Sequence, residues 1–218
     1  MLKEQKDLCF CFGVARLGAR FRKGAAGEDS RGIFGPMQPE RTASLALTTL
    51  LSPVGDLTLI RSERGLLGLG VGALGRAWVL RRAQATFPGC ALIQQPGAFA
   101  SEQSALRDLL AGELEEIAVP LDWSLIGEEG FARRVLEQVC QIPRGLTVGC
   151  GEMAAAVGAP GAARAVERIV AGCPLAIAVP THRVVGLERP DAALSEQARG
   201  FLLRLEQRIA AVPAPVAP

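Results

Sequence analysis

The stretch AVPTHRVVG, residues 178–186, puts a hydroxyl beside the chain's only histidine. Pro180 fixes the backbone, Thr181 and His182 follow, and Arg183 leads into Val184, Val185 and Gly186. A nucleophile next to a base is the residue set of covalent catalysis, yet here the loop reads as an active site whose nucleophile is missing. An alcohol ionises many pH units above neutrality, at a cost on the order of 10 kcal/mol. Adjacent side chains in an extended loop also diverge. A different chemistry is offered by GAARAV, residues 161–166. Gly161, Ala162, Ala163 and Ala165 leave a helix face nearly bare, and Arg164 is the one long cation on it. The minor groove of B-DNA is only about 6 Å wide, so a helix entering it needs small residues. An arginine projecting from such a helix suits insertion into a base stack in place of an extruded nucleotide.

The cysteines, Cys9, Cys11, Cys90, Cys140, Cys150 and Cys173, are scattered without zinc-type pairing. The expectation is no metal, no cofactor, and free thiols in a reducing cytoplasm. No apolar run reaches the ~20 residues that span a bilayer, and no secretory signal is evident. The net charge of +2 does not announce nucleic acid. Over residues 128–218 there are 10 Arg and no Lys against 9 Asp and Glu.

The elements that must hold these residues fall into three regions. Residues 1–44 are rich in Arg, Gly and charge and lack periodicity; they read as a disordered arm, or as sequence upstream of a true start at Met37. Residues 45–125 read as an α/β scaffold: strands at 45–51, 57–61 and 66–72, helices at 76–87 and 101–114, a strand at 91–95, and EIAVPLDW (116–123) closing the sheet. Residues 126–218 read as helical. A helix over 128–142 places Phe131, Val135, Leu136 and Val139 on one face. A short helix over 151–157 follows. After Gly158 the next helix opens at Pro160 and runs to about Val170, so the pair fits a helix-turn-helix.

FARRVLEQVCQIPRGLTVGCGEMAAAVGAPGAARAVERIVAGCPLAIAVPTHRVV resembles the DNA-binding domain of the O6-alkylguanine-DNA alkyltransferases, the methylated-DNA–protein-cysteine methyltransferases. The IP-x-G-x-T approach, the G-E-x-A-A helix, the P-x-A-A-R-A-V helix and the P-x-H-R-V-V loop stand in order. SPVGDLTL and SERGLLGL resemble the opening of the family's ribonuclease-H-like N-terminal domain, and Leu203, Leu205 and Glu206 its closing helix. The resemblance implies an α/β ribonuclease-H-like domain joined to a winged helix-turn-helix-like domain. It implies a partner, double-stranded DNA carrying O6-alkylguanine, with Arg164 as the wedge. It also implies a cysteine between Pro180 and His182 that accepts the alkyl group once, activated by His182, water and Glu206, with Arg183 supporting the loop and contacting DNA.

This chain departs from that pattern. Thr181 occupies the acceptor position, as in alkyltransferase-like proteins. Cys150 stands where the family has a tyrosine near the rotated phosphate, and Cys173 where it has an asparagine. GLERPDAALSEQARG (186–200) replaces the Gly-rich wall of the base pocket and reads as a turn entering a helix at Pro190. The expectation is a monomeric, non-catalytic DNA-repair protein that binds alkylated DNA and hands it to a repair partner. The alternatives are a methyltransferase using Cys150, Cys173 or a Thr181–His182–Glu206 relay, and a degenerate paralogue serving protein contacts or general DNA binding.

Overall fold

Three apolar runs separated by turn chemistry build an antiparallel meander: β1 (Leu45–Leu50), β2 (Leu57–Ser62) and β3 (Gly65–Val71). The computed structural model describes residues 44–127 and 129–210; the expected N-terminal arm with Cys9, Cys11 and Met37 lies outside the described residues. In the first turn Ser52 Oγ donates to the Gly55 carbonyl, and Gly55 takes φ +109°. After the second turn Gly65 sits at φ +141°, and a Cβ there would lie 2.3 Å from the Pro120 carbonyl oxygen. Gly65→Ala therefore combines backbone strain with a clash that no flexible side chain can relieve, and is expected to cost about 3 kcal/mol in denaturant unfolding. A loss below about 1 kcal/mol would mean that the 120 segment yields.

Residues 72–111 complete the first unit. Helix α1 (Gly72–Thr86) buries Gly75, Val79 and Ala83. Gly70 and Gly75 let it lie directly on β3, since a Cβ on Gly70 would meet the Gly75 carbonyl oxygen at 2.3 Å. Strand β4 (Leu92–Gln94) pairs parallel with β1, giving the order β3-β2-β1-β4. Helix α2 (Ala100–Ala111) buries Leu106 and Leu110, and its wholly buried Glu102 pairs with Arg61 on β2.

β3 is an edge strand by topology, yet every residue of it is buried. Its free edge is covered in pieces by the rest of the chain. Leu66 N–H donates to the Pro120 carbonyl and Asp122 N–H to the Leu66 carbonyl. Leu69 N–H donates to Pro174, Ala176 N–H to Leu69, and Val71 N–H to Ala193. EIAVPLDW thus forms no strand, only an isolated bridge at Leu121. Pro120 has no N–H to continue a ladder. The piecemeal pairing brings the C-terminal half against the sheet, and one hydrophobic cluster runs from Leu45 to Leu202.

The C-terminal half is helical, with α3 (Phe131–Cys140), α4 (Cys150–Ala156), α5 (Ala163–Ala171) and α6 (Glu196–Ala210). Val135, Leu136 and Val139 are buried on α3, as their spacing requires, and Phe131 is half-buried. Glu152 Oε2 accepts the Gly149 N–H at 2.8 Å, tying down the start of α4. α4 ends in a Schellman turn: Gly158 at φ +77°, Gly158 N–H to Ala155, Ala159 N–H to Ala154. Three helix starts in this half differ from expectation by more than a residue, α3 beginning at Phe131 and not at 128. α5 begins at Ala163, because Pro160 is spent in the turn that Ala162 N–H closes onto Ala159. α6 begins at Glu196, where Ser195 Oγ accepts the Ala198 N–H, and not at Pro190. Among the described residues no helix is long and apolar enough to cross a membrane, and no cluster of His, Cys, Asp and Glu could hold a metal.

Candidate functional site

The loop of residues 180–186 is held by short elements that act together. Strand β5 (Val148–Gly149) pairs parallel with β6 (Val184–Val185), and a 3-10 turn, Thr181–Arg183, precedes β6. Pro180 supplies the carbonyl that accepts the Arg183 N–H at 3.0 Å. Thr181 is 0% exposed, His182 2% and Arg183 5%, so the polar residues of the loop point inward. Their partner is α6, which presents Glu206.

Glu206 organises one side of the site. Its Oε1 accepts from His182 Nε2 at 2.8 Å and from Arg183 Nη2 at 2.8 Å; its Oε2 accepts from the Gly145 N–H at 3.2 Å. Arg183 completes the clamp by donating to the carbonyls of Ile142, at 2.7 Å, and Glu115. Burial pushes the Glu206 carboxyl up, but the hydrogen bonds from His182 and Arg183 outweigh it and bring its pKa to about 2. Burial lowers the pKa of His182 against the pull of Glu206. A neutral His182 that donates from Nε2 leaves Nδ1 as a lone pair, and that atom is buried without a partner among the described residues.

Thr181 belongs to the other side. Its hydroxyl donates to Asp191 Oδ2 at 3.0 Å, and Asp191 Oδ1 accepts the N–H groups of Ala193, at 2.9 Å, and Leu194. Burial pushes the Asp191 carboxyl up to about 6, against those hydrogen bonds. Arg199 lies between the two sides. One of its terminal nitrogens donates to the Val184 carbonyl, and Nη1 is buried without a partner among the described residues. Thr181 and His182 therefore serve different acids, and the Thr181–His182–Glu206 relay is not assembled.

The remaining expected residues divide by depth. Cys150 opens α4, is 9% exposed, and its thiol lies 3.8 Å from the Val185 carbonyl. Burial and then Glu167 raise its pKa, with Arg199 opposing. Cys173 is 1% exposed, and burial drives its pKa far up. On α5, Arg164 is exposed, as is Gly161 before it, while Ala162 and Ala163 are half-buried against the core. Arg183, expected among the DNA contacts, is turned inward because Glu206 and two carbonyls consume its guanidinium.

Comparison with known proteins places this geometry. The family described as "6-O-methylguanine DNA methyltransferase, DNA binding domain" matches residues 130–207. The methylated-DNA–protein-cysteine methyltransferase of Mycobacterium leprae is 49% identical over 94 residues, 43% of this chain and 55% of that relative. The enzyme of the same name from Mycobacterium tuberculosis H37Rv is 40% identical over 138 residues, 63% of this chain and 76% of that relative. The chain belongs to the O6-alkylguanine-DNA alkyltransferase family. A crystal structure of Mycobacterium tuberculosis OGT in complex with DNA superposes with a TM-score of 0.60 at 33% identity, over 75% of this chain and 94% of that one. The chain joins a four-stranded sheet and its two helices to a helical C-terminal half.

Within this alkyltransferase frame, sequence reasoning did not find Asp191, Arg199 or the role of Glu115. Asp191 stood directly after Pro190, where a helix was expected; the structure instead uses it as an Asx-type acceptor for the backbone N–H groups at i+2 and i+3. The two acids titrate in opposite senses. Glu206 has a folded pKa of about 2 against an ordinary 4.5, so its contribution of about 3 kcal/mol is present above pH 4.5 and lost as pH falls towards 2. Asp191 has a folded pKa of about 6 against an ordinary 3.8, so stability falls by about 3 kcal/mol as pH rises from 4 to 6. Asp191→Asn is expected to gain on the native chain by that amount between pH 4 and 7 in thermal melts. Parallel curves for the two proteins would show that Asp191 ionises normally.

Proposed function

We propose that this chain binds duplex DNA through α4 and α5 and holds O6-alkylguanine without accepting its alkyl group. The reading assigns residues 45–125 to a ribonuclease-H-like scaffold and 126–218 to the DNA-binding domain, with Arg164 as the wedge and a monomer as the working unit. The observation that carries it is the environment of Thr181. The residue in the acceptor position is an alcohol, wholly buried, with its hydrogen already donated to Asp191. Its ionisation lies many pH units above that of Asp191, and His182 is kept neutral and bonded to Glu206. The exposed Arg164, flanked on α5 by Ala163 and Ala165, supports DNA binding.

A second reading, alkyl transfer to Cys150, is favoured by its place beside β6 and by the names of the relatives. Its burial and raised pKa weigh against a thiolate there. Incubation with an O6-benzylguanine duplex, followed by intact-protein mass spectrometry, separates the two. Unchanged mass together with retention of the duplex supports holding; a benzyl adduct mapped to Cys150 selects transfer. Arg164→Ala is expected to abolish any preference for the alkylated over the plain duplex in anisotropy titrations.

A further inference from the structure

On α5, Arg164 and Arg168 stand one turn apart, both fully on the exposed side, while Val166, Val170 and Ala171 form the buried face. Along a helix, four residues advance about 6 Å. A third arginine is fixed beside them. Glu167, on the same helix, accepts the backbone N–H groups of both Glu188 and Arg189 at 2.9 Å, so the loop after β6 is bound to α5 and Arg189 is exposed next to it. No hydrogen bond or ion pair engages the guanidinium groups of Arg164, Arg168 or Arg189 among the described residues. The acids nearby are Glu167, whose Oε1 is occupied by those two N–H groups, and the exposed Glu188.

We infer that Arg168 and Arg189 are backbone clamps, gripping DNA phosphates on the rim of the groove that Arg164 enters. This rests on the DNA-binding reading above and assigns that surface its phosphate contacts. The groove supplies the reason for the division of labour. It is about 6 Å wide, so an arginine one helical turn from the inserted one falls at a groove wall, where phosphates line the rim and base edges are out of reach. Contacts of that kind position the protein and carry no sequence or lesion information. Because α5 and the loop are joined through Glu167, both cations are presented as one surface.

The test is a fluorescence-anisotropy titration of the full chain with a short plain duplex and the same duplex carrying O6-methylguanine, at salt concentrations between about 50 and 200 mM. Arg168→Ala and Arg189→Ala each weaken binding to both duplexes equally, by about threefold, and each reduces the slope of log K against log salt by about 0.9. Arg168→Lys keeps the native slope, since a phosphate accepts any cation. Unchanged slopes in both alanine variants, with Arg164→Ala still deleterious, overturn the clamp and leave the DNA-binding reading standing. Absence of salt-dependent duplex binding by the native chain overturns both.

Discussion

Glu206→Ala is expected to lower the stability of the chain by about 3–5 kcal/mol, more than any other single substitution at this site. The carboxylate neutralises the guanidinium of Arg183, whose side chain is 6% exposed, and orients the imidazole of His182, whose side chain is 3% exposed. Removing it leaves Arg183 charged and buried, with only the carbonyls of Ile142 and Glu115 as partners, and leaves both ring nitrogens of His182 unbonded. An uncompensated buried charge is costlier than the loss of the attraction itself. Glu206→Gln keeps the volume but loses the charge and one acceptor, and should fall between the native chain and Glu206→Ala. Removing Arg183 as well, as Met, takes away the stranded charge, so the double variant should be less unstable than the two single losses predict together. Denaturant unfolding followed by circular dichroism measures all of these. A loss below about 1 kcal/mol in Glu206→Ala would mean that water already solvates the cluster, and additive losses in the double variant would mean that the two residues are not coupled.

That cluster shows where sequence reading succeeds and where it stops. The strands β1 to β3 are legible because Leu- and Ile-rich runs end at SPVGD and SERG, whose turn residues leave the chain few alternatives. The buried face of α3 follows from the 3.6-residue period. His182, Arg183 and Glu206 were brought together by resemblance, and the structure does bring them together. Other features depend on partners distant in sequence and carry no local signal. EIAVPLDW has the composition of a strand, but Pro120 and the form of the β3 edge allow only a bridge. Pro160 and Pro190 each looked like a first helical residue, because proline fits that position as well as it fits a turn. Pro160 is spent in the turn before α5, and α6 instead starts beyond Pro190, at the Ser195 cap. Arg183 reads as a surface cation until Glu206 and two carbonyls surround it. Asp191 was invisible for the same reason: its meaning lies in Thr181, on another segment.

Asp191 also decides what happens when sulfur is placed at residue 181. Thr181→Cys alone is expected to remain unreactive towards an O6-benzylguanine duplex. Its thiol would occupy the position of a hydroxyl that now sits 3.0 Å from Asp191 Oδ2. Two like charges about 4 Å apart repel by about 4 kcal/mol at an effective dielectric constant near 20, equivalent to about three pH units in the thiol. A cysteine that ordinarily ionises near 8.5 is then almost wholly protonated at neutral pH, and His182, itself neutral, does not offset this. Asp191→Asn in the same chain removes the repulsion while keeping an oxygen for the Ala193 and Leu194 N–H groups. The double variant should therefore form thiolate, and with it any benzyl adduct, at least roughly 100-fold more readily than Thr181→Cys, the fold-change expected from about two of those three units. Ultraviolet titration of thiolate absorbance, read as a difference from the native chain, measures the ionisation whether or not substrate reaches the loop. A thiol in Thr181→Cys that ionises at or below 8.5 would sink the argument, because it would show that the segment after β6 moves its carboxylate away from residue 181.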